Sequence, residues 1–290
     1  MTSQATPQAL LPSMRRLLAI AAVLVFLAGV QLFVFPTRTE EYFSWTIASP
    51  MTAVFLGAAY WSAVALEVAG AQARTWAQGR IAVPTVFVFT TLTLLATLLH
   101  LDLFHLGARH SIATRGVTWA WMAIYAIVPI LMVVITVRQR RGRSSDAART
   151  RRLPALVRLA LGALVLIFGV VGVRLFLVPD LTTSWWPWQL TPLTSRAIGA
   201  WLISLGVAAA HSLIEDDVAR IRPLGATAVG LRRAGKHRAA QVRRRTGLVV
   251  TDCRRVRRRP DRAARARTVG FVLRSVSVGR RLRQERRGQH

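Results

Sequence analysis

The residues of this chain whose types and spacing could do chemistry sit inside long apolar runs. Glu67 lies in an apolar stretch and shares a helical face with Tyr60 and Gly57. A carboxylate within a membrane is costly, so such a residue is by default a functional candidate. It is either a proton or cation site, or a group near the helix end that snorkels outward or pairs with Arg158 or Arg74. Thr90, Thr93, Thr97 and His100 follow at spacings of 3, 4 and 3 and fall within one narrow arc. That arc is a polar track through the membrane, or a packing stripe whose hydroxyls bond carbonyls one turn back. Next comes HLDLFHLGARH, with His100, Asp102, His105 and His110. Asp102 and His105 share a face if the segment is helical, which makes them a candidate pair for acid–base or ligand chemistry. Zinc would need a further ligand from Glu40 or Glu41, and the spacing fits no standard metal motif, so no metal and no cofactor is assigned. Arg174 is either an anion contact or a side chain that snorkels outward or pairs with Asp180, and Arg196 is read the same way. His211 and Glu215 share a face at the end of an apolar run and read as a solvated helix end rather than a relay. No Walker loop, GxSxG, HExxH or dinucleotide fingerprint occurs, so no enzyme class is indicated.

The elements that must position these groups are membrane helices. A hydrocarbon core about 30 Å thick takes about 20 apolar residues to cross. Six stretches meet that length: 17–35, 51–71, 81–101, 116–137, 154–178 and 193–214. The first follows Arg15 and Arg16 in SMRRLLA, a faint twin-arginine pattern, and reads as an uncleaved anchor because no small-residue cleavage site follows. Arginine is unevenly shared between the loops. The N-terminus with segments 72–80 and 138–153 carries eleven, and segments 36–50, 102–115 and 179–192 carry Arg38, Arg109 and Arg115. The arginine-rich set is therefore expected in the cytoplasm, with both termini, in a multi-pass plasma-membrane protein. Asp102 and His105 then lie at the outer face. Trp45, Trp185, Trp186 and Trp188, with Trp119 and Trp121, are expected as headgroup anchors or, in the outer loops, a lipid or sugar contact.

An internal repeat is the most specific signal. GVQLFVFP at 29–36 returns as GVRLFLVP at 172–179, so Gly29, Leu32, Phe33 and Pro36 match Gly172, Leu175, Phe176 and Pro179. Gln31 is matched by Arg174, and Trp45 by Trp188. After one deletion Pro50, Thr52, Gly57 and Ser62 match Pro192, Thr194, Gly199 and Ser204. The unit has four spans, which gives parallel copies, a known transporter arrangement. It also predicts two further spans after residue 222, where LRRAGKHRAAQVRRR stands instead.

Composition sharpens this break. The chain has 290 residues, a net charge of +28 and a mean hydropathy of +0.38, a pairing that suggests both a nucleic-acid binder and a membrane protein. Residues 231–290 carry +18 of that charge, so the body is apolar and the excess lies in the tail. The tail has one aromatic residue, Phe271, and lacks the interleaving of a sequence reader, so no specific nucleic acid is expected. Anionic lipid is the fitting partner for it, beside the bilayer itself. Arginine far exceeds the single lysine, which points to a GC-rich gene. The tail is then either a genuine cytoplasmic extension or the product of a frameshift that removed the last two spans. The lone Cys253 excludes a disulfide within the chain.

EEYFSWTIASP and WWPWQLTPLTSRAIGAW lend the chain its likeness: it resembles the uncharacterised multi-pass integral membrane proteins of GC-rich actinobacteria over about residues 15–230. The resemblance implies a helical membrane bundle and brings no catalytic motif. The expected fold is all-α: a polytopic bundle of about six spans, with a first four-span unit at 1–142, an arginine-rich linker at 143–153, an incomplete second unit at 154–230 and the basic tail at 231–290. The expected function is transporter- or channel-like, with a nonenzymatic scaffold or accessory subunit as the alternative. An enzyme acting on lipid at the outer face would rest on Asp102 and His105 alone.

Overall fold

A computed structural model describes residues 7–142, 146, 149–181 and 186–221. Trp185, the two further spans expected from the repeat, and the tail at 231–290 lie outside them. Six helices carry the apolar runs: span 1, Pro12–Val34; span 2, Pro50–Gln72; span 3, Ala82–Leu99; span 4, Ile112–Arg141; span 5, Ala155–Leu177; and span 6, Pro192–Glu215. Each is long and apolar enough to cross a membrane, and the protein is an all-α integral membrane protein. Helix is the form that lipid enforces, because every backbone N–H and C=O needs a partner within its own segment. Proline opens spans 1, 2 and 6, where its missing N–H costs nothing. Ser111 accepts from the Thr114 N–H to start span 4, and Thr191 and Thr194 form a reciprocal cap on span 6.

Loop contacts fix which helix ends lie together. At one end the Leu10 N–H donates to the Arg74 carbonyl (3.1 Å) and the Trp76 N–H to the Gln8 carbonyl (2.8 Å). Gln139, buried at the end of span 4, accepts from the Leu11 N–H (2.8 Å) and donates to the Ala9 carbonyl (2.9 Å). This is the arginine-rich end. At the opposite, tryptophan-rich end the His105 N–H donates to the Ser44 carbonyl (3.0 Å), and Trp45 bridges Phe104.

Spans 1 and 2 form one hairpin, and spans 5 and 6 another. A Cβ on Gly57 would stand 2.7 Å from the Phe33 backbone nitrogen, and one on Gly199 2.8 Å from that of Phe176. Gly29 faces Trp61, and Gly172 faces Ile203. Small residues let the two backbones approach, and dispersion rather than the hydrophobic effect then holds helices together in lipid. Ser62 bonds the Ala59 carbonyl at 2.7 Å, and Ser204 bonds that of Trp201 at 2.8 Å. Both hairpins are thus seamed through residues that recur in the sequence. Span 3 packs on spans 4 and 6 and joins the hairpins. Span 5 stays largely uncovered: 11% of its apolar window is buried, against 61% in span 2.

Two tryptophans are not headgroup anchors. Trp45 and Trp121 are buried, stacked edge-to-face at 5.1 Å. The first loop folds inward to bridge Phe104, which carries Trp45 into the core. Trp119 does face outward, and Trp188 donates to the Thr52 hydroxyl at 2.8 Å.

Candidate functional site

Spans 1 to 4 line a cavity of about 80 Å³. Span 2 brings Glu67 and Tyr60 to it from one face, two helical turns apart, as i and i+7 positions must be. Span 4 brings Tyr125 and Trp121, and span 3 brings Phe89 and Thr90. The Tyr60 and Tyr125 hydroxyls bond each other at 2.9 Å. The Thr90 hydroxyl donates to the Val86 carbonyl at 2.8 Å. Glu67 is only 3% exposed, and one of its carboxylate oxygens is fully buried with no hydrogen-bond partner among the described residues. Neither Arg74 nor Arg158 reaches it, so the snorkelling and pairing alternatives do not hold. A carboxylate left charged in this setting costs at least about 3 kcal/mol unless it is protonated or met by a cation.

Aromatic rings run from this cavity to the tryptophan-rich end. Trp201 of span 6 lies 4.1 Å from Phe89 and 5.1 Å from Tyr60. Tyr125 stacks on Trp121 at 4.3 Å, and Trp121 meets Trp45 and Phe43 at 5.1 and 5.3 Å.

The threonine arc is mainly a packing stripe. Thr97 donates to the Thr93 carbonyl at 2.8 Å and accepts from the Trp121 indole at 3.1 Å, while the Thr93 hydroxyl is buried without a partner among the described residues. His100 ends the arc differently: its Nε2 accepts from the Arg196 guanidinium at 2.5 Å, which ties span 3 to span 6. Burial, reinforced by Arg196, holds the His100 imidazole below its ordinary value, against the opposing charge of Asp102. Arg196 is therefore engaged across the bundle rather than snorkelling.

Asp102 and His105 do not share a helical face. The segment makes one short turn at Leu101–Leu103 and then extends at Phe104, so Asp102 faces outward and His105 turns in. His105 is 2% exposed, with Nδ1 2.9 Å from the Phe43 carbonyl and Nε2 3.0 Å from the Thr46 hydroxyl. Burial lowers its basicity, which suits a neutral ring holding the loop. Among the described residues no group of three His, Cys, Asp or Glu side chains is placed to hold a metal ion. Arg174 is exposed on span 5 beside an apolar groove.

At the arginine-rich end, Glu215 is 2% exposed and not a solvated helix end. Arg80 grips its two oxygens at 2.5 and 2.7 Å, Arg220 adds a bond of 2.7 Å, and His211 stands 3.3 Å away. The bond to Glu215 raises the Arg80 guanidinium above its ordinary value. Beside it, the Asp217 carboxylate accepts from the N–H groups of Thr150, Arg151 and Ala219 and ties the start of span 5 to the end of span 6. Burial opposes its ionisation, but these donors hold it below the ordinary carboxylate range.

Comparison with family models, curated proteins and solved structures finds no match for this chain. Residue type in an apolar run was enough to single out Glu67. Tyr125, Trp201 and Arg80 were missed. A signal existed for Tyr125: the chain has three tyrosines, and Tyr60 and Tyr125 are the two inside spans. Arg80 carries no such mark, because its partner Glu215 is 135 residues away.

Proposed function

We propose that the protein is transporter- or channel-like and takes a proton or a cation at Glu67. The observation that carries this reading is the buried Glu67, which lines a cavity between four spans with one carboxylate oxygen lacking a hydrogen-bond partner among the described residues. A structural carboxylate in lipid would be paired or placed at the interface. In this reading the arginine-rich end faces the cytoplasm of a plasma membrane, and anionic lipid is the partner of the basic stretch 231–290. The likeness to actinobacterial multi-pass proteins and the duplicated four-span unit belong to the same reading, and the matched seams of the two hairpins support the duplication alone. A second reading, a nonenzymatic scaffold or accessory subunit, is favoured by the uncovered face of span 5. Proteoliposomes carrying a pH-sensitive dye separate the two. Glu67→Gln is expected to cut proton or cation flux at least tenfold while insertion stays normal. Flux equal to that of the native chain would overturn the first reading, and a stoichiometric partner held through span 5 without any flux would establish the second.

A further inference from the structure

Resting on that reading, we infer that the Glu67 cavity takes an organic ammonium ion rather than a bare inorganic cation. The argument is the composition of the walls. A hard metal ion needs about six oxygen ligands. Here the oxygens are few: the Glu67 carboxylate, the two tyrosine hydroxyls already bonded to each other, and the Thr90 hydroxyl committed to its own helix. The remaining helix carbonyls are occupied by the backbone ladder. Rings are plentiful instead. Tyr60, Phe89, Trp121 and Tyr125 all line the cavity. Aromatic faces attract a cation that has shed its water, and alkylammonium ions lose theirs far more readily than sodium does. A carboxylate at one end of such a cage supplies the counter-charge. The Tyr60–Tyr125 hydroxyl bond fixes the angle between two of the rings.

The charges around Glu67 leave it as the single anionic anchor. Span 4 presents Tyr125, span 2 presents Tyr60, and spans 1 and 3 present aliphatic side chains, Phe89 and Thr90. Among the described residues no arginine lines the cavity. A proton and an ammonium ion therefore compete for the same oxygens.

The test is equilibrium binding of radiolabelled tetramethylammonium to the full chain in nanodiscs, run beside the flux measurement. Saturable binding is expected, with no displacement by equal sodium or potassium. Glu67→Gln should weaken it at least tenfold, and Glu67→Asp, which keeps the charge, should weaken it less. Tyr125→Phe, which keeps the ring, should cost only a few-fold. Acidification should release the ligand from the native chain. Displacement by sodium or potassium at equal concentration would overturn the inference, as would undiminished binding in Glu67→Gln. Absence of saturable binding, with Glu67-dependent flux intact, would overturn the inference and leave the functional reading standing. Flux indifferent to Glu67 would overturn both.

Discussion

The two hairpins share a seam and differ in what lies beyond it. In both, a glycine sits against a phenylalanine backbone, Gly57 on Phe33 and Gly199 on Phe176, and a serine bonds the carbonyl three residues back. Carrying the same offset further along, Tyr60 is matched by Leu202 and Glu67 by Ala209. The first hairpin is closed by spans 3 and 4 around a cavity, and it holds a carboxylate there. The second puts a buried alanine at that position, and its span 5 lies open. One helix-packing solution therefore serves two ends. Close backbone approach holds each pair together, and the carboxylate at Glu67 has only a buried alanine, Ala209, as its counterpart in the second copy.

That contrast can be broken most severely by moving the carboxylate. Ala209→Glu places an uncompensated charge at a site 2% exposed, packed by apolar residues, and should destabilise the protein by about 3–5 kcal/mol. Glu67→Gln, in contrast, should raise stability, because it removes a buried ionisable group with one oxygen unpartnered among the described residues. Denaturant titration in detergent micelles reads both. If Ala209→Glu folds as well as the native chain, the two sites are not the contrasting environments described above.

Next in size is the seam itself. Gly57→Val and Gly199→Val should each cost about 1–3 kcal/mol, since the added atoms meet backbone within 2.8 Å and the neighbouring helix must shift. Similar losses of thermal stability are expected for the pair, and a silent Gly199→Val would mean that the second hairpin is held by something other than its seam.

Smaller again is the hydroxyl pair. Tyr125→Phe leaves the Tyr60 hydroxyl buried without its partner and should cost about 1–2 kcal/mol. Leu202, the second-copy match of Tyr60, has no hydroxyl to lose, so Leu202→Ile should stay within about 1.5 kcal/mol of native.

The least effect is expected where the hairpins are joined through His100 and Arg196. The folded structure holds His100 below its ordinary value of 6.5, so the neutral ring that accepts from Arg196 is fully present above that pH. The tie weakens as pH falls from 6.5 through the lowered folded value, because protonation removes the acceptor. The native chain should therefore lose a little thermal stability on acidification through that window, and His100→Gln should lose that part of the dependence. Asp217 adds a separate acid-side loss at lower pH, since its stabilisation is present above the ordinary carboxylate range and disappears as pH falls through its depressed folded value.

Much of this architecture was legible in the chain because a bilayer is a simple solvent. It demands about 20 apolar residues per crossing, and six runs supply them within a few residues of the helices observed. Gly57 and Gly199 were visible as matched positions, and Glu67 as a costly residue type. Pairings between distant segments were not visible. Asp102 and His105 looked like neighbours on a helix, yet the chain extends at Phe104 and turns one of them inward. Trp45 looked like a surface anchor, and a backbone bridge to Phe104 buries it.

The sequence by itself determined the spans, their alternation, the recurrence of the hairpin residues and the presence of Glu67 within an apolar run. Each of these follows from local composition or from comparison of the chain with itself. Only the tertiary structure decided that Glu67 meets a cavity instead of an arginine, that Tyr125 closes it from the fourth span, and that Glu215 is clamped by Arg80 and Arg220. The physical reason is that hydrogen bonds, ion pairs and ring contacts act over a few ångströms in space. Their partners here stand 65 and 135 residues apart along the chain. Nothing in either local segment marks the other until the helices pack.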